Sequence, residues 1–163
     1  AFDVAEKRLA NLKPRLARSG LSNVMPQLIA SENDTRVKRL AGKLDRVLVD
    51  APCSGLGTLR RNPDLKFRQS PESVVELTQK QAAILRAAAK LLKPGGRLVY
   101  ATCSVEPEET DEVVLPFLEV RPDFSAEALP PWAEPFRSGA FVRTGTPASR
   151  GDAFFAARLR RSS

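Results

Sequence analysis

Residues 45–55 read DRVLVDAPCSG, and residues 97–104 read RLVYATCS. Each stretch joins a short apolar run to a cysteine that is followed by a serine. Val47, Leu48 and Val49 are continuously apolar, which predicts a strand buried on both faces of a parallel sheet. RLVYAT predicts a second strand of the same kind. The segment between them predicts a loop punctuated by Gly55 and Gly57, then one long helix. Ser70 suits the N-cap of that helix, Pro71 its first position and Glu72 its positive end. Val74, Leu77, Gln81, Ile84, Leu85, Ala88, Leu91 and Leu92 trace one largely apolar face. KPGG ends it, with Lys93 favourable at the negative end and Gly95–Gly96 in the turn. A strand–helix–strand crossover is right-handed and sets its two strands side by side, about 4.8 Å apart. In open α/β sheets the ligand crevice lies at the carboxyl ends of the strands. Asp50, Cys53 and Ser54 should therefore meet Thr102, Cys103 and Ser104 at one rim, as two walls of one cleft.

The rest of the chain extends this pattern. Leu9, Leu12 and Leu16, with Ala5, predict an opening helix that stops at Gly20 and kinks at Pro14. A short strand is expected around Val24–Ile29, and about one helical turn within ENDTRVKRLAGK. SVEPEETDEVVLPFLEV predicts an acid-started helix with Val113, Val114, Phe117 and Leu118 inward, bent by Pro116. Residues 121–138 read as proline-rich and irregular. GAFVRT and DAFFAARLRR predict an antiparallel hairpin. No repeat is present. The alternation argues for a single α/β domain over residues 1–163, an open, mostly parallel sheet with helices on both faces.

Composition narrows the function. Lys and Arg outnumber Asp and Glu by 26 to 19, with an isoelectric point near 9.9. That balance fits a polyanionic partner, and equally a solvated basic surface. Histidine is absent, so acid–base chemistry near neutral pH falls to carboxylates or a shifted cysteine. Two thiols without histidine make a poor zinc site, and no metal is expected. No apolar stretch approaches the ~20 residues that span a bilayer. The opening AFDVAEKRLANLK lacks a secretory signal. A cytoplasmic location with no membrane association is the default. One free cysteine is usually a small buried hydrophobe. Two at equivalent strand ends beside an aspartate favour chemistry: a thiolate attacking an electrophilic carbon, with the second thiol accepting a proton or assisting breakdown of the adduct. Redox pairs usually read C-x-x-C, whereas these two lie far apart.

VDAPCSGLGTLRRNPDLKFR followed by LLKPGGRLVYATCSVEPEET resembles the RNA (cytosine-5) methyltransferases of the RsmB, Sun and NSUN type. The likeness runs from Phe2 to Arg160 and is densest from Asp45 to Thr110. It implies a Rossmann-like methyltransferase fold, S-adenosylmethionine as cofactor and RNA, ribosomal RNA in particular, as substrate. It assigns Cys103 as the nucleophile that adds to C6 of cytosine, so that C5 can take the methyl group. It assigns Cys53 to release of the product and Asp50 to the cofactor and the cytosine edge. Asp3 matches the carboxylate that accepts hydrogen bonds from the cofactor ribose, with a helix N-cap as its structural alternative. Asp34 matches a position near the adenine. Arg60, Arg61, Lys66 and Arg68, clustered around Phe67, match an RNA surface; for Phe67 itself, core packing is an equal alternative.

The chain departs from the family at its start. Family members carry a strand and a glycine-rich turn before the position of Asp3, and here every glycine lies downstream. The expectation is a truncated catalytic domain with its first strand missing, an exposed apolar sheet edge open to self-association, and poor cofactor binding and little activity on its own. Alanine replaces a usual glycine after Asp152. A catalytically incomplete RNA-binding module is the alternative function. An amino-directed methyltransferase ranks last, because Asp50-Ala51-Pro52-Cys53 stands where those enzymes carry Asn/Asp-Pro-Pro-aromatic.

Overall fold

The computed structural model describes residues 1–145 and 151–163. These form two compact units, Ala1–Leu40 and Ala41–Ser163. In the first, strand β1 (Phe2–Asp3) is followed by helix α1 (Glu6–Ser19), strand β2 (Gln27–Leu28) and the short helix α2 (Thr35–Lys38). Leu9, Leu12 and Leu16 form the half-buried stripe of α1, which runs through Pro14 and ends at Gly20 in the left-handed region, φ 68°. Only a residue without a Cβ takes that conformation at little cost. The strand expected over Val24–Ile29 shrinks to two residues, paired in parallel with β1. Pro26, with no N–H to give, precedes the pairing.

The second unit holds strands β3 (Leu44–Asp50), β4 (Leu92–Thr102), β5 (Phe124–Ala126), β6 (Arg137–Ser138), β7 (Phe141–Arg143) and β8 (Phe155–Arg161), with helices α3 (Pro71–Ala89) and α4 (Asp111–Val120). Their order in one sheet is β3-β4-β8-β7-β6, with β5 also beside β8. β3 and β4 run parallel, Val47 opposite Leu98 and Asp50 opposite Ala101. β8 runs antiparallel to β4 and to β7, so the predicted hairpin is present; its connecting residues 146–150 lie outside the described residues. β5 falls inside the stretch read as irregular. Its three residues are too few to show a period, and pairing with β8 makes them a strand.

Ser70 caps α3 as expected. Its hydroxyl accepts the Ser73 amide and the Ser73 hydroxyl accepts the Ser70 amide, a reciprocal box. The far end differs from expectation. α3 stops at Ala89, and Lys93, Gly95 and Gly96 belong to β4 instead of to a helix cap. The amides of Gly42, Lys43 and Leu44 capture the Lys90 and Leu91 carbonyls, drawing the chain into the sheet early. The extra residues are absorbed where the β3–β4 register shifts between Leu44 and Arg46. α4 begins after a 3-10 turn at Pro107–Glu109 and continues through Pro116.

One face of the sheet carries the core. Val49, Leu98, Tyr100, Phe155, Ala157 and Leu159 alternate inward and pack with Leu85, Ala88 and Ala89 of α3 and Val113, Val114 and Phe117 of α4. The rings of Phe141 and Tyr100 meet Phe155 edge-on, with centroids 5.4 and 6.3 Å away. The expectation that β3 is buried on both faces is overturned. β3 is an edge strand of its sheet, and Leu48, on the side away from α3, is 71% exposed.

The opposite face of β4 and β8 carries an ion-pair cluster beside the small apolar residues Val99, Ala101 and Ala156. Glu127 accepts hydrogen bonds from Arg97 at 2.5 and 2.8 Å and from Arg158 at 2.8 Å, with Arg160 at 3.7 Å. The Arg97 hydrogen bond, followed by Arg158, holds the Glu127 carboxyl down at about 2, against an ordinary 4.5. A depressed carboxyl stabilises the fold above its unfolded pKa and ceases to as pH falls through its folded one. Glu127→Gln should therefore lose about 1–2 kcal/mol at neutral pH, allowing for partial exposure. The deficit should shrink between pH 4.5 and about 2. Urea denaturation of both proteins across that range measures it.

Candidate active site

The parallel pairing of β3 with β4 delivers two loops to the same end of the sheet. The Ala51 amide still bonds the Ala101 carbonyl, at 2.9 Å. Beyond it, the Cys53 and Cys103 sulfurs stand 3.3 Å apart, and one residue further the Ser54 and Ser104 hydroxyls stand 3.3 Å apart. The two Cys-Ser dipeptides thus lie side by side, as the repeated motif predicts. Both thiols are free and half-buried.

Burial, and then the Cys103 thiol beside it, pushes the Cys53 thiol up to about 12. Cys53 therefore keeps its proton at neutral pH. Either thiol can donate in the S···S contact, and a protonated Cys53 can offer its S–H to the neighbouring sulfur. Asp50 ends β3 and is exposed. Its carboxyl has no hydrogen-bond or ionic partner among the described residues, so it is available to a ligand.

The loops are fixed by groups that the sequence reading did not single out. Glu109, fully buried, accepts the Ser54 amide at 2.8 Å, the Ser54 hydroxyl at 2.5 Å and the Gln81 side-chain amide at 3.0 Å. Gln81 also donates to the Pro52 carbonyl at 2.8 Å. Its own side-chain oxygen is buried without a partner among the described residues. An orphaned acceptor costs roughly 1–3 kcal/mol, which the two bonds donated by the Gln81 amide offset. The Tyr100 hydroxyl donates to the Glu109 carbonyl at 3.0 Å. A polar residue in the apolar stripe of α3 was the available signal for Gln81. Glu109 was masked by its neighbours, because one acid in EPEET looks like another until burial separates them.

Gly57 joins the loops from the other side. Its amide donates to the Cys103 carbonyl at 2.9 Å and its carbonyl accepts the Ala153 amide at 2.8 Å. A Cβ at Gly57 would stand 2.2 Å from the Ala153 carbonyl oxygen and 2.8 Å from that of Cys103.

The basic loop follows. Phe67 is 81% exposed, so core packing is overturned for it, and the Lys66 ammonium sits 4.8 Å from its ring centre. Arg68 pairs with Asp64 at 2.6 Å, and Arg61 pairs with Asp152. Arg60, Arg61, Gly151, Asp152 and Phe154 line an open cleft of about 460 Å³. The four basic residues thus share one loop without converging on a single point.

Asp3 and Asp34 belong to the first unit. Asp3 accepts a two-pronged bond from Arg8, at 2.7 Å on each oxygen, and the Ala5 amide at 2.8 Å; the Arg8 bond holds its carboxyl below the usual range. It is not the residue that caps α1, which is Ala5, although it serves that turn. Asp34 does cap α2, accepting the Arg36 amide at 2.8 Å and the Ala30 amide at 2.9 Å. Each carboxyl keeps a lone pair for a further donor.

Known proteins resemble this chain in sequence and fold. The family model described as 16S rRNA methyltransferase RsmB/F matches residues 1–160. Ribosomal RNA small subunit methyltransferase B of Salmonella dublin is 41% identical over 98% of this chain, and that of Citrobacter koseri is 40% identical over the same share. The chain spans about a third of the length of these relatives, 35% and 36%. Among solved structures, NSun6 from Pyrococcus horikoshii with SFG has TM-score 0.82 at 27% identity, covering 100% of this chain and 41% of that one. A methyltransferase homologue from Pyrococcus horikoshii has TM-score 0.77 at 30% identity, covering 99% and 52%.

The close approaches at Gly57 make a direct test of the loop junction. Both are to backbone, which cannot swing aside. Gly57→Ala should cost upwards of about 2 kcal/mol and separate the loops. Denaturant titration and the rate of Cys103 alkylation measure the two effects.

Proposed function

This chain belongs to the RsmB/F family of 16S rRNA methyltransferases, and we propose that it methylates C5 of a cytosine in ribosomal RNA through a covalent bond from Cys103 to C6. The observation that carries the reading is the 3.3 Å separation of two free sulfurs, one of which keeps its proton. S-adenosylmethionine is the cofactor of this family and, when bound, supplies the methyl group. Asp3 would accept its ribose hydroxyls and Asp34 its adenine amino group; both carboxyls retain acceptor capacity for this. As its kinship to ribosomal RNA methyltransferases implies, the protein acts on RNA in the cytoplasm. No helix among the described residues is long and apolar enough to cross a membrane.

The chain's own groups divide the labour. Cys103 attacks C6 as a thiolate, and the electron pair displaced from the C5–C6 bond makes C5 nucleophilic. Cys53 stabilises that thiolate beforehand by donating its S–H, and does so again when the sulfur leaves. Asp50, exposed and unpartnered among the described residues, acts as general acid, its protonated carboxyl donating to N3 of the cytosine edge as addition at C6 builds negative charge on the ring. The target base must leave its stack to reach two half-buried sulfurs at the rim. Lys66 and the exposed Phe67, one charge beside one ring, fit phosphate and base of a single strand, and Arg60, Arg61 and Arg68 extend that surface.

Two measurements test the proposal in the intact protein. With RNA containing 5-fluorocytosine, a covalent protein–RNA complex should form and persist in Cys53→Ala but vanish in Cys103→Ala. A complex that survives loss of Cys103 would refute the assignment. Replacing Lys66 and Arg68 by Gln should weaken RNA binding and lower the salt slope by about one for each phosphate that is no longer neutralised, as read by titration at several ionic strengths.

A further inference from the structure

Glu109 is the only charged side chain fully buried among the described residues. Its carboxyl bonds to Ser54 and Gln81 and not to either sulfur, and what it holds is asymmetric. Cys103 follows directly on β4, whose Thr102 is still paired with Phe155, so the ladder itself fixes the nucleophile. Cys53 stands beyond the end of β3, in a stretch with no strand partner after Ala51. Its neighbours are held by side chains alone. Pro52 is held by Gln81, and Ser54 by Glu109 through both its amide and its hydroxyl, with Gln69 on its carbonyl at 2.9 Å. Glu109 also holds Gln81 in the pose that reaches Pro52. The Ser104 hydroxyl, 3.3 Å from that of Ser54, is a fourth tether. Remove the Glu109 carboxyl and two of these four tethers loosen, those of Glu109 and Gln81, while Cys103 stays in its ladder.

We propose that Glu109 is a positioning residue for the second half of the reaction, holding Cys53 against Cys103 so that the product can be released. The inference rests on the reading of Cys103 as nucleophile and Cys53 as release thiol. In release, the C6–S bond breaks and its electron pair stays on the Cys103 sulfur. The C5–H pair becomes the C5=C6 double bond, the C5 proton passes to water, and Cys53 donates its S–H to the departing thiolate. A misplaced donor slows this step and leaves the earlier attack largely intact. Displacing a catalytic group by about 1 Å costs on the order of a hundredfold.

The test uses the intact protein, S-adenosylmethionine and a small-subunit rRNA transcript with ordinary cytidine. Multiple turnover, single-turnover methyl transfer and denaturation-resistant protein–RNA complex are followed together. Glu109→Gln should lose turnover by on the order of a hundredfold, lose far less in the single turnover, and accumulate the covalent complex, as Cys53→Ala should. Ser54→Ala, which deletes the hydroxyl bond to Glu109 and keeps the amide one, should trap less complex than Glu109→Gln. A structural role alone would lower single turnover and complex in parallel. That result in Glu109→Gln, or wild-type release in it, overturns the inference. If Glu109→Gln does not fold, Ser54→Ala decides: trapped complex supports the inference and wild-type release overturns it. A complex trapped in Cys53→Ala but in neither other variant refutes the positioning role alone. No complex in Cys53→Ala refutes the cysteine assignment beneath it.

Discussion

The parallel ladder between β3 and β4 is the constraint on which the rest depends. It sets Asp50 opposite Ala101, and each chain then needs only two or three residues to bring its cysteine to the rim. Two positions remote in sequence thereby become neighbours without any loop having to search for its partner. α3 makes the ladder possible, because only a long crossover lets the second strand run in the same direction as the first. The helix then contributes Gln81 to the site it has created. Architecture and chemistry are therefore joined in one element.

The buried polar cluster behind the sulfurs follows from the same constraint. Loops that leave a sheet lose the partners the ladder gave their backbone, and those groups must be satisfied elsewhere. Glu109, Gln81 and Gln69 do this with side chains. Each comes from a different segment, the 3-10 turn before α4, the middle of α3 and the approach to α3. The site thus depends on three pieces of chain being correctly docked. A carboxyl is suited to the centre of such a cluster because it accepts several donors at once. The aromatic packing of Tyr100 and Phe155 lies just below, and the Tyr100 hydroxyl joins the two layers through the Glu109 backbone.

Much of this was legible in the residues. The Cys-Ser repeats, the capped helix between them and the apolar runs place the two thiols together, and the structure does so. The limits of sequence reading have physical causes. Leu48 looks like an interior residue because apolarity reports preference, whereas its exposure is decided by which strands flank β3. The glycines of KPGG look like a helix stop, and backbone capture by Lys43 and Leu44 makes them a bulge instead. β5 is too short to carry a period. Glu109 is chemically indistinguishable from its acidic neighbours until the fold buries it. The motif residues could be recognised, but the groups that hold them in place emerged only from tertiary packing.

The contact between the two sulfurs also limits what can be attached to them. A separation of 3.3 Å leaves no room for another heavy atom between them. Any adduct on one sulfur, whether a pyrimidine ring or a maleimide, must displace or screen the other. Thiol-directed reagents should therefore label this rim once per molecule, and the first label reports on both side chains. The pair behaves as one reactive centre with two sulfurs.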